Sequence, residues 1–251
     1  MRKTIIKNSN LNIIKRHLLS STPIFYKIFN FLTFINIIFS INFNNKISIK
    51  IISSGDSGIL LNELYIPDEM IINNKTVEFN NTIVPSGQSI TLIWNNLDNC
   101  CEGMFFINKN ILNNHTNSII EEINLSEFDP NYIKTMKDMF LNQTNLKKIN
   151  IKITNYQCNN MYRMFQNCTS LEYIDLSSFT FNKYSTYDMR YMFSNCKNLK
   201  SILFPSEKYQ LSNLYMDNMF SFCEKLESID LSNFNITGNI DFNCHFVMII
   251  H

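Results

Sequence analysis

Between Met136 and Phe234 the chain spells nearly the same phrase four times. Each copy sets two methionines three apart, then Phe, a small residue three further on, Leu three after that, and an alternating apolar run. The fullest copy runs Met161-Tyr162-Arg163-Met164-Phe165-Gln166-Asn167-Cys168-Thr169-Ser170-Leu171-Glu172-Tyr173-Ile174-Asp175-Leu176-Ser177-Ser178-Phe179. From Phe140 to Phe165, Phe193 and Phe220 the steps are 25, 28 and 27 residues. A period in this range marks a solenoid, in which a unit buries its apolar face only against its neighbours. The fold is thereby restricted to coils that stack equivalent residues into columns.

Met161, Met164, Phe165 and Cys168 fall at i, i+3, i+4 and i+7, the spacing of one helix face. Leu171, Ile174 and Leu176 end in strict alternation, the spacing of a short half-buried strand. Asn160 and Asp188 precede the first methionine of their copies, where a side-chain oxygen can cap free backbone N–H groups. These readings predict an α/β fold: a leucine-rich-repeat-type solenoid of helix–strand repeats of about 25–28 residues, with a small β-rich N-terminal cap.

Four segments follow. Residues 1–43 form a basic leader with an apolar stretch, and 44–99 a β-rich cap. Residues 100–236 hold about five units, and 237–251 a tail. The cap is read from alternation at Ile47–Ile51, Thr76–Phe79 and Ser89–Trp94, punctuated by Gly55, Gly58, Pro67 and Pro85-Ser86-Gly87. The first unit, Cys101-Glu102-Gly103-Met104-Phe105 with Ile120–Phe128, carries an insertion around Asn113–Thr116 that reads as a surface loop. The tail starts no recognisable next unit and reads as a truncated or eroded copy.

Composition removes several classes of function. A net charge of +1 gives no electrostatic case for nucleic acid. With no CxxC pair and only four histidines, the chain lacks the donors of a zinc site, and no other metal or cofactor is implied. Methionines at this spacing beside Phe fill cores; copper ligation would need further donors. Cys168, Cys196 and Cys223 share one repeat column, with Thr144 read as its occupant in the first copy. They are small buried residues in a file, or, in an oxidising compartment, a disulfide ladder. The 39 asparagines and the absence of alanine look like the codon bias of an AT-rich genome, which argues against a functional role for every Asn.

Arg2, Lys3, Lys7, Lys15, Arg16 and Lys27 precede sixteen uncharged, mainly apolar residues, 28–43. That stretch is long for a signal-peptide core and short for a span of about 20 residues. The positive flank predicts export of everything after it, by cleaved signal or retained anchor, so the cell surface, a membrane or the extracellular space is the expected location. A buried strand or helix and an organellar transit peptide are the competing readings. Seven Asn-x-Ser/Thr triplets are present; Asn74, Asn80, Asn114, Asn142 and Asn235 are the candidate N-glycosylation sites, while Asn124 and Asn167 lie within the repeat's own elements.

The unit M-x-x-M-F-x-x-C-x-x-L-x-x-I-D-L-S-x-F, matched closely by Met161–Phe179 and Met216–Phe234, resembles the repeat of the BspA-like leucine-rich-repeat surface proteins. Leu92-Ile93-Trp94-Asn95-Asn96 before Cys101 resembles the approach to the array in their eukaryotic members. The likeness covers about residues 46–234. It departs from the family at Phe181–Asp188, where a T-S-x-V-T-D turn is degraded, and at Leu203-Phe204-Pro205, which replaces D-L-S. It implies a non-enzymatic surface protein for attachment or recognition of a protein or surface glycan. An intracellular repeat scaffold and a non-functional truncated member are the alternatives.

On the strand, residues between the apolar positions face outward. One column is Glu122, Lys148, Tyr173, Ser201 and Ser228; the next is Asn124, Asn150, Asp175, Leu203 and Asp230. The expected partner face comprises Glu122, Lys148, Tyr173, Asp175 and Asp230, against the plainer reading of a solvated sheet. Asp175 and Asp230 are set aside as a glycosidase pair: two coils at about 5 Å each separate them by roughly 10 Å.

Overall fold

The computed structural model describes residues 45–51, 65–79, 89–94, 101–105, 119–128, 133–152, 157–183, 185–236, 240–241 and 247–249. The apolar stretch 28–43, the Asn113–Thr116 insertion, and the sequons at Asn80 and Asn114 lie outside them. Among the described residues fifteen strands occur: β1 (Asn45–Ile51), β2 (Glu69–Ile72), β3 (Lys75–Val77), β4 (Ser89–Trp94), β5 (Ile120–Asn124), β6 (Lys148–Asn150), β7 (Tyr173–Asp175) and β8 (Thr186–Asp188) come first. β9 (Ser201–Leu203), β10 (Tyr209–Leu211), β11 (Asn213–Tyr215), β12 (Ser228–Asp230), β13 (Phe234–Ile236), β14 (Ile240–Asp241) and β15 (Val247–Ile249) follow. Among the described residues there is no helix.

The expected α/β solenoid is therefore corrected: the Met-x-x-Met-Phe segments are runs of turns. Met139 N–H donates to the Met136 carbonyl (3.2 Å), Leu141 to Asp138 (3.1 Å) and Gln143 to Phe140 (3.2 Å). Asp138 and Asn142, at φ 58° and 66°, hold the left-handed conformation that the third residue of such a turn demands. The same two columns carry Arg163 and Asn167, Tyr191 and Asn195, and Asn218 and Phe222, so eight of the ten non-glycine residues with positive φ among the described residues sit there. Gly103 (φ 65°) opens the series.

The turns prevail because they leave alternate N–H groups free for the next coil. Met136, Asp138, Phe140 and Asn142 donate to the carbonyls of Asn160, Tyr162, Met164 and Gln166, each at 2.9 Å. A helix would spend these donors internally, and an isolated helix of two turns is marginal in water. The helix-cap expectation for Asn160 and Asp188 is corrected too, because there is no helix to cap, although both side chains do accept a backbone N–H. Tyr162 N–H donates to Asn160 Oδ1 (3.1 Å) and Arg190 N–H to Asp188 Oδ1 (3.2 Å), at the start of a turn series.

Packing follows from the columns. Phe105, Phe140, Phe165, Phe193 and Phe220 form one continuous stack, with centroids 5.4, 5.2, 5.4 and 5.9 Å apart and rings within 13° of parallel. Each such pair adds about 0.5–1.5 kcal/mol beyond the area it buries. Cys168, Cys196 and Cys223 are buried thiols outside any disulfide; each donates to the Phe carbonyl of the preceding coil, Phe140, Phe165 and Phe193 at 3.3, 3.1 and 3.1 Å. Burial pushes the Cys168 and Cys196 thiols well above their ordinary range and Cys158 up to about 12. In the first copy this column belongs to Gln143, not Thr144. Gln143 is fully buried, and its Nε2 donates to the Phe105 carbonyl.

The inner strands run parallel where they pair: β5 with β6, β7 with β9, and β12 with β15. Upstream, β1 joins the first coil by antiparallel pairing with β5, and the six-stranded order is β3-β2-β4-β1-β5-β6. Within residues 237–251, β14 pairs in parallel with β11, and β15 with β12. These contacts are made by main chain, so the side-chain motif need not repeat for the backbone ladders to continue.

Candidate functional site

Two outward faces carry the residues that change from coil to coil. On the strand face, Lys148, Tyr173, Asp175 and Asp230 are exposed and Glu122 is half-buried. Register places Glu122 opposite Lys148, Tyr173 opposite Ser201, and Asp175 opposite Leu203. Tyr173 and Asp175 therefore share one strand face, whereas Asp230 lies beyond β9 on β12, which β9 does not pair. Tyr173 is 48% and Leu203 47% exposed, and together they supply an apolar surface on an otherwise polar face.

The aspartates also hold the backbone. Ser177 N–H donates to Asp175 Oδ1 (2.8 Å), Ser232 N–H to Asp230 Oδ1 (2.8 Å) and Ser126 N–H to Asn124 Oδ1 (3.0 Å). This side-chain-to-backbone turn accounts for the I-D-L-S lettering. Beside it runs a column of alternating charge, Glu121, Lys147, Glu172, Lys200 and Glu227. Lys147 meets Glu121 at 3.0 Å and Lys200 meets Glu172 at 2.6 Å. The Lys200 hydrogen bond holds the Glu172 carboxyl below the usual glutamate value.

Of the sequons, Asn74 is exposed in the turn between β2 and β3 at φ 60°. Asn142 is half-buried, and its Oδ1 accepts Asn167 Nδ2 at 2.6 Å. Asn235 lies on β13.

The turn edge holds a second cluster that the sequence reading missed. Arg163 grips Asp138 through Nε (2.8 Å) and Nη2 (2.7 Å), and Arg190 grips Asp188 at 2.9 and 2.7 Å. Each carboxylate holds its arginine more firmly charged, raising the guanidinium. Arg163 and Arg190 lie 4.8 and 5.5 Å from the Tyr162 ring centre, and Arg190 lies 5.8 Å from that of Tyr215. Tyr191 meets Tyr162 edge-on at 5.9 Å. The available signal was the position after the first methionine column, Glu102, Lys137, Tyr162, Arg190 and Asp217, which differs in every coil.

Between β6 and β7 a shallow cleft of about 180 Å³ opens, lined by Ile149, Asn150, Ile151, Lys152, Asp175, Ser177 and Ser178. No group of His, Cys, Asp and Glu able to hold a metal occurs among the described residues. No helix among them is long and apolar enough to cross a membrane.

Stacked coils with recurring buried columns and varied exteriors define a repeat protein. A match to the family described as Mycoplasma protein of unknown function, DUF285, covers residues 102–234 and, in a second overlapping register, 187–248. The chain belongs to that family. No curated protein and no solved structure matches it.

Proposed function

We propose that this chain is a non-enzymatic recognition or attachment protein of the cell surface or its exterior, working through the outward faces of its coils. The observation that carries this reading is the division of labour between letters. Met, Phe, Cys and Leu of the repeat are buried, while the exposed columns vary between coils and include Tyr173 and Leu203 at nearly half exposure. Tyr contributes heavily at interfaces, and a repeated scaffold lets neighbouring coils present different groups without refolding. The basic flank before residues 28–43 and the likeness of Met161–Phe179 and Met216–Phe234 to BspA-like surface repeats support export.

Protease treatment of intact cells making a C-terminally tagged full chain tests it. Loss of the tag from intact cells is the expected result. A tag protected until lysis overturns the surface reading and favours an intracellular scaffold.

A further inference from the structure

On the strand side of the array, the cleft separates β6 from β7. On the turn side the two coils are laced together, Asp138 to Tyr162 and Phe140 to Met164 at 2.9 Å. On the strand side, β6 and β7 belong to different sheets. The adjoining junctions are closed there: Leu125 N–H donates to the Asn150 carbonyl and Leu176 N–H to the Leu203 carbonyl, each at 2.8 Å. Across the cleft, Ser178 Oγ reaches the Ile151 carbonyl at 3.5 Å.

Two charged groups in the cleft retain unused capacity. Asp175 spends Oδ1 on Ser177 N–H, and its Oδ2 has no partner among the described residues. Exposed Lys152 forms no ion pair among the described residues, whereas Lys137, Lys147, Lys197 and Lys200 all do. Asn150 uses Nδ2 on Asn124 Oδ1 (3.1 Å), leaving its side-chain Oδ1 as a further acceptor. Tyr173, two residues before Asp175 on the same strand, presents its ring on the same face.

We infer that this cleft, with Tyr173 at its side, seats one sugar residue of an uncharged polysaccharide. An ammonium, a carboxylate oxygen and serine hydroxyls side by side match a hydroxyl array, each hydroxyl of which both donates and accepts. The electron-rich ring face of Tyr173 suits the C–H face of a sugar. The cleft volume is about 180 Å³. That is too small and open for a free metabolite, whose sites run to about 300 Å³ and more, and fits part of a chain held across the surface. The inference rests on the recognition reading and narrows its ligand class.

The purified full chain is tested on immobilised mannan, chitin oligomers, galactan and glucan, alongside Tyr173→Ala, Asp175→Asn, Lys152→Gln and the control Glu69→Gln. Glu69→Gln makes the same kind of change at an exposed carboxylate on β2, away from the coil faces. The expected result is binding to at least one polysaccharide, lowered about tenfold by each of the first three and unchanged in the control. Absence of binding to all four, or binding that Tyr173→Ala and Asp175→Asn leave intact, overturns the inference. Binding only to protease-sensitive protein surfaces also overturns it while leaving the recognition reading in place. Tag protection on intact cells overturns that reading independently.

Discussion

At Asn167 the backbone sits at φ 63°, and the side chain links three coils: Nδ2 donates to Asn142 Oδ1 (2.6 Å), and Oδ1 accepts Asn195 Nδ2 (2.7 Å). Asn is the non-glycine residue best suited to that conformation, since its carboxamide tolerates the left-handed region that a plain Cβ resists. The column ends at Phe222, also at φ 59° and 73% exposed, where a bulky ring takes a conformation that costs on the order of 1–3 kcal/mol. Asn167→Ala is predicted to destabilise by about 2–3 kcal/mol, from the left-handed penalty plus the lost ladder bonds. Asn167→Gly loses only the bonds and falls by about 1 kcal/mol. Denaturant unfolding of both variants checks this; equal losses would show that the conformation contributes nothing. With 39 asparagines in the chain, this column is hidden by composition, so the codon-bias reading concealed a structural role.

The repeated element was legible in part. Period, buried columns and the short strand follow from spacing, and Leu171, Ile174 and Leu176 are indeed buried. The turn series was not legible, because Met161, Met164, Phe165 and Cys168 turn inward on tandem turns as they would on a helix. The hydrogen bonds that decide between the two join different coils, and no window within one copy contains them. The same limit hid the cleft and the Tyr–Arg edge, whose neighbours are set by steps of 25, 28 and 27 residues. Exposure of Tyr173 was legible because alternation along a strand fixes its face.

The charge ladder belongs to this scale too. Glu172 has a folded value below its ordinary 4.5, chiefly through the Lys200 hydrogen bond. A depressed carboxyl contributes stability that is complete above the unfolded value and is lost as pH falls through the folded one. The chain should therefore lose thermal stability on acidification below about 4.5, more steeply than Glu172→Gln. Parallel melting curves of the two proteins across that range provide the check; identical acid slopes would remove Lys200–Glu172 from the account.

Across the whole molecule, stability and specificity are assigned to different residues. The antiparallel pairing of β1 with β5 covers one end of the stack, the Phe column runs through the coils, and β14 and β15 carry the ladders into the tail. Any ligand meets the letters that differ, and which letters those are depends on the coils being turns and strands. That assignment is tested most directly by backbone φ at Asp138, Arg163, Tyr191 and Asn218, measured by NMR on the folded full chain. Left-handed values close to 58°, 54°, 57° and 53° are predicted. Values near the helical −63° would contradict the turn architecture and the outward faces built on it.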